Sequence, residues 1–368
     1  MADHRRFKCS VFPLMSMFAI LLTGYGLCSE PLRVLEPADD ATVWLLRKDW
    51  REHAARCAAA ETDENGLAKV AFQAFPETAR FAWSGGTPPY RLTLTTTDGT
   101  EHDHQVVLEI SQTTAEVANL LVGAEYRWKL QDADGATLDG RFATAETPRL
   151  IALPDGNAAP NNVRDLGGWR TAGGGRVRQG MVFRGSELAN LGYLPAATDA
   201  NRRFLLEELG IRTDLDLRYE EQVAKHSCSD IAPEVQWLCY AINAYNPLTP
   251  EQNALFRETL RTFARPENYP IYVHCSGGAD RTGEICFLVS ALLGVADEDL
   301  FADYELTSLA RLPRSRDIPY FQMWLRRVAE FSPEPGLSYQ SQAENYLLAI
   351  GVTQEEIATI RSLLLEQE

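Results

Sequence analysis

The sequence predicts an all-β sandwich followed by an α/β unit whose sheet is largely parallel and flanked by helices. Three observations carry this. Residues 76–146 read as short strands with period-2 alternation, separated by turn dipeptides. Beyond about residue 161, strands alternate with helices, the order that builds a parallel sheet. Around residue 275, a buried strand runs through a Gly-rich turn into an apolar helix. With 368 residues, 45% hydrophobic and 23% charged, the chain has room for about two such domains, and this composition excludes the disordered, collagen-like and multi-span membrane classes.

At the N-terminus, Arg5, Arg6 and Lys8 precede an apolar run from Val11 to Thr23, with Gly24, Gly26 and Ser29 close behind. That order predicts a secretory signal over residues 1–28 and an exported product, periplasmic or secreted. An uncleaved anchor is the alternative, because Val11 to Cys28 is marginally long enough for a thin bilayer; a fortuitous apolar start is the third. Lipid attachment at Cys28 is disfavoured by the bulky Leu27 before it. The net charge is −16, and loss of residues 1–28, which carry +2, leaves −18. Nucleic acid and anionic lipid are therefore poor partners, and any anionic substrate must be captured by a local cluster of donors.

Residues 32–147 are assigned to the sandwich. Asp49 to Ala60 reads as a helix that a sandwich does not require. Tyr90, Leu92 and Leu94 alternate with Arg91, Thr93 and Thr95, the pattern of a half-buried strand. Asp98-Gly99 and Asp134-Gly135 mark turns. Leu121 to Leu130 places Tyr126, Trp128 and Leu130 on one face, and this stretch resembles a core strand of fibronectin type III and related immunoglobulin-like domains. On that resemblance, the sandwich serves as a spacer or docks a protein or glycan. His102 and His104 are expected to be solvated on an edge strand rather than to bind metal.

Residues 148–160, with Pro148, Pro154 and Pro160, read as a linker, and residues 161–368 as the α/β domain. There the expected elements are helix Arg203–Leu209, strand Thr213–Leu217, helix Glu251–Phe263, strand Ile271–Val273, and helices Gly283–Leu293 and Asp297–Thr307. Outside the signal, five Cys remain, an odd number that flags a free thiol. Cys228 and Cys239 are the expected disulfide, with two unpaired buried thiols as the alternative. The Cys spacings fit no structural zinc, and no metal or cofactor is expected.

The chemistry lies in His274-Cys275-Ser276-Gly277-Gly278-Ala279-Asp280-Arg281-Thr282-Gly283. A strand, a Gly-rich turn and a helix N-terminus make an anion cradle, because successive N–H groups point inward and the helix dipole adds about half a positive charge. Gly277 and Gly278 allow close approach of the backbone. Arg281 presents a planar fork to two oxygens of a tetrahedral anion. Cys275 lies in the same field, which favours its thiolate and suits it to in-line attack on phosphorus.

His-Cys, five residues, then Arg-Thr-Gly resembles the signature of the cysteine-dependent protein tyrosine and dual-specificity phosphatases. Asn162 to Gly168, Gly180 to Leu188, Leu209 to Arg218 and Asp303 to Ser308 resemble segments of a bacterial and fungal branch that includes secreted enzymes acting on phosphotyrosine and phosphoinositides. The resemblance implies Cys275 as nucleophile, Arg281 as phosphate clamp, and Ser276, Gly277, Gly278 and Ala279 as the substrate-binding cradle. It further implies that Thr282 assists the thiolate or the release of the phospho-enzyme and that His274 orients the loop. Two residues depart from the pattern. Ala279 stands where members of the branch often carry Lys, which weakens an inositol reading, and Glu284 replaces an apolar residue and is expected to face solvent.

Loss of an aryl phosphate also needs a proton donor. Residues 240–247 contain no Asp, so Asp280 leads, followed by Asp216 and Asp165, whose alternative is pairing with Arg164, Arg184 or Arg218. Cys286 reads as core, with a protective disulfide to Cys275 as the alternative. The expected function is a secreted protein tyrosine phosphatase with possible dual specificity, acting on phosphotyrosine proteins or other phosphomonoesters. A phosphoinositide or inositol phosphate phosphatase and a non-catalytic binder of phosphorylated ligands are the alternatives.

Overall fold

The structure, a computed structural model, describes residues 30–64, 66–69, 76–96, 104–246 and 248–366. The expected signal, the Asp98-Gly99 turn and His102 lie outside these residues. The chain divides into two compact units: one runs to Arg47 and resumes over Pro76–Thr147, and the other takes Lys48–Phe75 and Pro148–Glu368.

In the first unit two sheets enclose one apolar core. Strands Arg33–Glu36, Ala79–Ser84 and Thr114–Val117 form a three-stranded antiparallel sheet. The second sheet has five strands in the order Ala41–Val43, Thr137–Thr144, Glu125–Gln131, Tyr90–Thr96, Gln105–Ile110. The period-2 pattern decides which side chains enter the core: Leu92, Leu94, Tyr126, Trp128 and Leu130 are buried while Arg91, Arg127 and Lys129 are exposed. His104 corrects the expectation of a solvated side chain. It shares the parity of the inward-facing Val106 and Leu108, is buried, and lies with Nδ1 2.9 Å from the Tyr126 hydroxyl.

Residues 48–75 depart from the expected contiguous sandwich and cluster with the second unit. Helix Trp50–Ala58 buries Trp50, His53, Ala54 and Cys57, a stripe at i, i+3, i+4 and i+7. Trp50 meets Trp169 at 6.1 Å between ring centroids. The expected linker is likewise built into this unit. Ile151 joins an apolar cluster with Val163 and Phe183, its N–H donates to the Val163 carbonyl, and Ala158 and Ala159 are buried.

The second unit carries a five-stranded sheet in the order Gln236–Cys239, Thr213–Asp216, Ile271–Cys275, Val182–Ser186, Arg164–Asp165. The first four strands are parallel and the last is antiparallel. Ile271–Cys275 is central and buried at every residue, so its C-terminal end opens where the chain must turn into helix Asp280–Leu292. That helix is buried from Arg281 to Leu292, consistent with its apolar sequence. Helix Asp199–Arg203, which continues as a π-turn over Phe204–Glu208, and helices Pro250–Thr262 and Asp297–Leu306 occupy the regions expected to be helical. Cys228 and Cys239 are free thiols, as are Cys275 and Cys286. The expected disulfide is not formed: Cys228 is exposed, whereas Cys239 is half-buried against the Arg218 carbonyl at 3.9 Å.

Candidate active site

Cys275 is the last residue of the central strand and is 3% exposed. The helix after the turn starts at Asp280, three residues earlier than expected, which puts Arg281 and Thr282 in its first turn. First-turn N–H groups have no partner within a helix, so they are available to an anion. Burial opposes ionisation of Cys275, but the Arg281 charge and the Thr282 hydroxyl and N–H outweigh it and hold the thiol below its usual range. The surroundings of Cys275 therefore favour its thiolate over the thiol.

The turn is braced from behind by charged groups. Arg184 Nη2 donates to the Gly278 carbonyl at 2.9 Å, and Asn162 Nδ2 donates to the same oxygen at 3.0 Å. Asp303 holds Arg184 at 2.6 Å and Arg164 at 2.8 Å, and Arg164 in turn donates to Asn162 Oδ1 at 2.5 Å. With the Gly278 carbonyl bound on the far side, this part of the loop is fixed before any ligand arrives. Gly278 has φ +65°, and a Cβ there would stand 2.2 Å from the Gly185 carbonyl oxygen. Gly278→Ala is expected to lower kcat/KM by about 10²-fold, as a misplaced cradle does. Gly277→Ala meets only the mobile end of Leu312, at 2.9 Å, and should cost much less. Steady-state kinetics on one aryl phosphate compares the two.

Arg281 lies over the Tyr219 ring at 4.5 Å and donates to Gln222 Oε1 at 3.0 Å and Ser276 Oγ at 3.1 Å. Gln222 also donates to Ser276 Oγ at 2.9 Å. The Arg281 guanidinium thus rests on neutral groups rather than on a carboxylate. His274 is buried with Nε2 2.8 Å from Asp214. Burial pulls its pKa down, but Asp216 and Asp214 prevail and raise it to about 9, so it is a fixed cation behind the strand.

The three acid candidates part company here. Asp165 is buried on Arg149 at 2.8 Å and accepts from the Gly167 and Gly180 N–H groups. Asp216 is buried and chelated by Arg218 at 2.7 Å; burial opposes its charge, but His274 and Arg218 bring its pKa down to about 2. Neither has solvent access to a leaving group. Asp280 has a side chain 29% exposed beside the cradle. Arg314 grips it with Nε at 2.6 Å and Nη2 at 2.7 Å, and the Tyr245 hydroxyl donates at 2.9 Å.

Glu284 corrects the solvent-facing expectation. One turn beyond Asp280 it is wholly buried, accepts from the Tyr245 N–H at 2.9 Å, and is pushed well above the carboxylate range by burial, with the Asp280 charge adding to it. Sequence reading missed Tyr219, Gln222, Tyr245 and Arg314. Tyr219, directly after Arg218, was the most accessible clue among them.

The tyrosine phosphatase family is matched over residues 158–366. An inferred tyrosine-protein phosphatase of Cupriavidus necator is 33% identical over 201 residues, covering 48% of this chain and 69% of that protein. Among solved structures, the core catalytic domain of the PP-IP phosphatase Siw14 from S. cerevisiae, in complex with citrate, aligns at 18% identity with TM-score 0.29, over 42% of this chain and 90% of that one. A second Siw14 catalytic core aligns at 17% identity with TM-score 0.25, over 39% and 84%.

Proposed function

The chain belongs to the tyrosine phosphatase family, and from that premise we propose that it is an exported protein tyrosine phosphatase working through a cysteinyl-phosphate intermediate. The observation that carries the proposal is Cys275, favoured as thiolate, at the floor of a braced turn with Arg281 in the first turn of the following helix. Phosphate oxygens take the cradle N–H groups and the Arg281 fork, replacing Ser276 and Gln222. The Cys275 thiolate attacks phosphorus, the bond to the ester oxygen breaks, and that oxygen receives a proton through Asp280. Water then attacks the phospho-cysteine, gives its proton to Asp280, and releases phosphate and the thiolate.

Aryl phosphate is favoured over inositol phosphate by the walls of the site. Tyr219 lies beneath Arg281 on one side. On the Asp280 side, Tyr245 meets Tyr320, which is 41% exposed, at 4.7 Å between ring centroids. Flat rings of this kind suit a phosphotyrosine ring, and Ala279 adds no charge for a polyanionic head group. Export is supported by the basic, apolar and small-residue order of the N-terminus. The all-β unit is read as a spacer or docking module, on the support of its own closed core and its strand pattern.

The test is hydrolysis of a phosphotyrosine peptide, a phosphoserine peptide and phosphoinositide vesicles at matched concentration with EDTA present. The reading expects kcat/KM on the tyrosine peptide to exceed the others by at least about tenfold. Faster turnover of the vesicles would move the assignment to lipid phosphates. Binding without turnover would leave a phospho-ligand receptor.

A further inference from the structure

We propose that Arg314 is a positioning residue whose fork holds Asp280 as a carboxylate in the free enzyme, so that the proton given to the leaving oxygen enters on the substrate, a phosphate monoester monoanion. This rests on the phosphatase reading above and adds to it where the proton comes from. An acid meant to carry its own proton would be left to hydrogen-bond acceptors or to an apolar pocket. Asp280 instead faces both donors of a bidentate guanidinium.

That guanidinium is held in place independently of Asp280. The Arg314 N–H donates to Ser308 Oγ at 2.9 Å, Ser308 Oγ donates back to the Arg314 carbonyl at 3.0 Å, and Arg314 Nη1 donates to the Pro313 carbonyl at 2.9 Å. The other groups around Asp280 do not reverse its charge state. Tyr245 donates to it from the 240–246 loop, and Tyr304, from helix Asp297–Leu306, stands behind at 2.7 Å from the Tyr245 hydroxyl. Burial pushes both phenols up, so both stay neutral. On its own helix, Arg281 adds a second positive charge that favours the carboxylate, and burial disfavours a charge on Glu284. The Cys275 thiolate is the one charge among these that opposes ionisation, and burial with it; Arg314 prevails and Asp280 lies below the carboxylate range.

The proton inventory then closes. The monoanion's P–OH proton passes to the Asp280 carboxylate. As the thiolate–phosphorus bond forms and the ester P–O bond breaks, Asp280 passes that proton to the leaving oxygen and is a carboxylate again. The water that cleaves the phospho-cysteine returns one proton to Asp280, and Arg314 favours its loss to solvent.

Two readouts test this on the full chain. The first is the kcat/KM–pH profile on two aryl phosphates whose second phosphate pKa values differ. The expected alkaline limb falls at the substrate's own second pKa, about 6 for a simple ester, and moves with it. A limb that stays fixed when the substrate changes would overturn the proposal, because Asp280 would then bring its own proton. The second is the titration of the Asp280 side-chain carboxyl by NMR, identified by its loss in Asp280→Asn. Arg314→Met is expected to raise that pKa by about 1–3 units and Arg314→Lys by less. No change in either variant would overturn the role of Arg314. The titration needs no turnover, so an inactive protein with the stated shift would sink the phosphatase reading alone. Normal turnover with a substrate-independent limb would sink the proton route alone.

Discussion

Cys275→Ser is expected to lower turnover of aryl phosphates by on the order of 10⁴-fold or more, while leaving the fold and phosphate binding in place. The size of the loss follows from how the site is built. A serine hydroxyl at that position fills the same space at the end of the buried strand, but it stays protonated, whereas the surroundings bias the cysteine toward its thiolate. Burial works against any anion there, and it is the Arg281 charge and the Thr282 donors that bring the thiol down. Those interactions cannot span the much larger gap to an alkoxide. The cradle N–H groups, Arg281 and the brace of Arg184 and Asn162 on Gly278 are untouched by the substitution. Binding of an inorganic oxyanion should therefore be retained, and stopped-flow turnover alongside oxyanion binding separates the two effects. The pH dependence has a definite sign: since the thiol is depressed, its acid limb lies below the usual thiol range, and activity rises with pH as the thiolate forms.

Asp303→Ala should cost about 3–5 kcal/mol, the largest single loss of stability expected from a polar residue here. Asp303 lies between two buried guanidiniums, Arg164 and Arg184, and both lose their counter-charge when it is removed. For a unit of this size the Tm falls by roughly 10 °C, which calorimetry or thermal denaturation reads. The loss extends to activity, because the Arg184 that Asp303 holds is the one that binds the Gly278 carbonyl. Burial opposes the Asp303 charge, but the two arginines prevail and depress its pKa. Its contribution to stability is accordingly present above the ordinary carboxylate pKa and is lost as pH falls through the depressed folded value.

The parts of this molecule that were legible in the sequence are those decided by neighbours along the chain. The cradle is ten consecutive residues, and its strand, turn and helix follow from their order. The strands of the first unit follow from period-2 alternation, and even His104 obeys its parity with Val106 and Leu108. What escaped depends on partners far away in sequence. Asp49 to Ala60 was legible as a helix, but nothing local says that its buried face meets Trp169. Asp280 and Arg314 are 34 residues apart, and Glu284 is buried because Tyr245, from another loop, brings its N–H to it. Asp216 pairs with Arg218, two residues on and already among the arginines the sequence offered as its partner, whereas the partner of Asp165 is Arg149, which the sequence did not single out.

The most direct test of the account is acid-quenched trapping of the enzyme during turnover of a radiolabelled aryl phosphate, followed by peptide mapping. The account predicts acid-stable phosphate on the peptide that contains Cys275, absent in Cys275→Ser. Turnover that continues with phosphate on another residue, or with none on the protein, would contradict it.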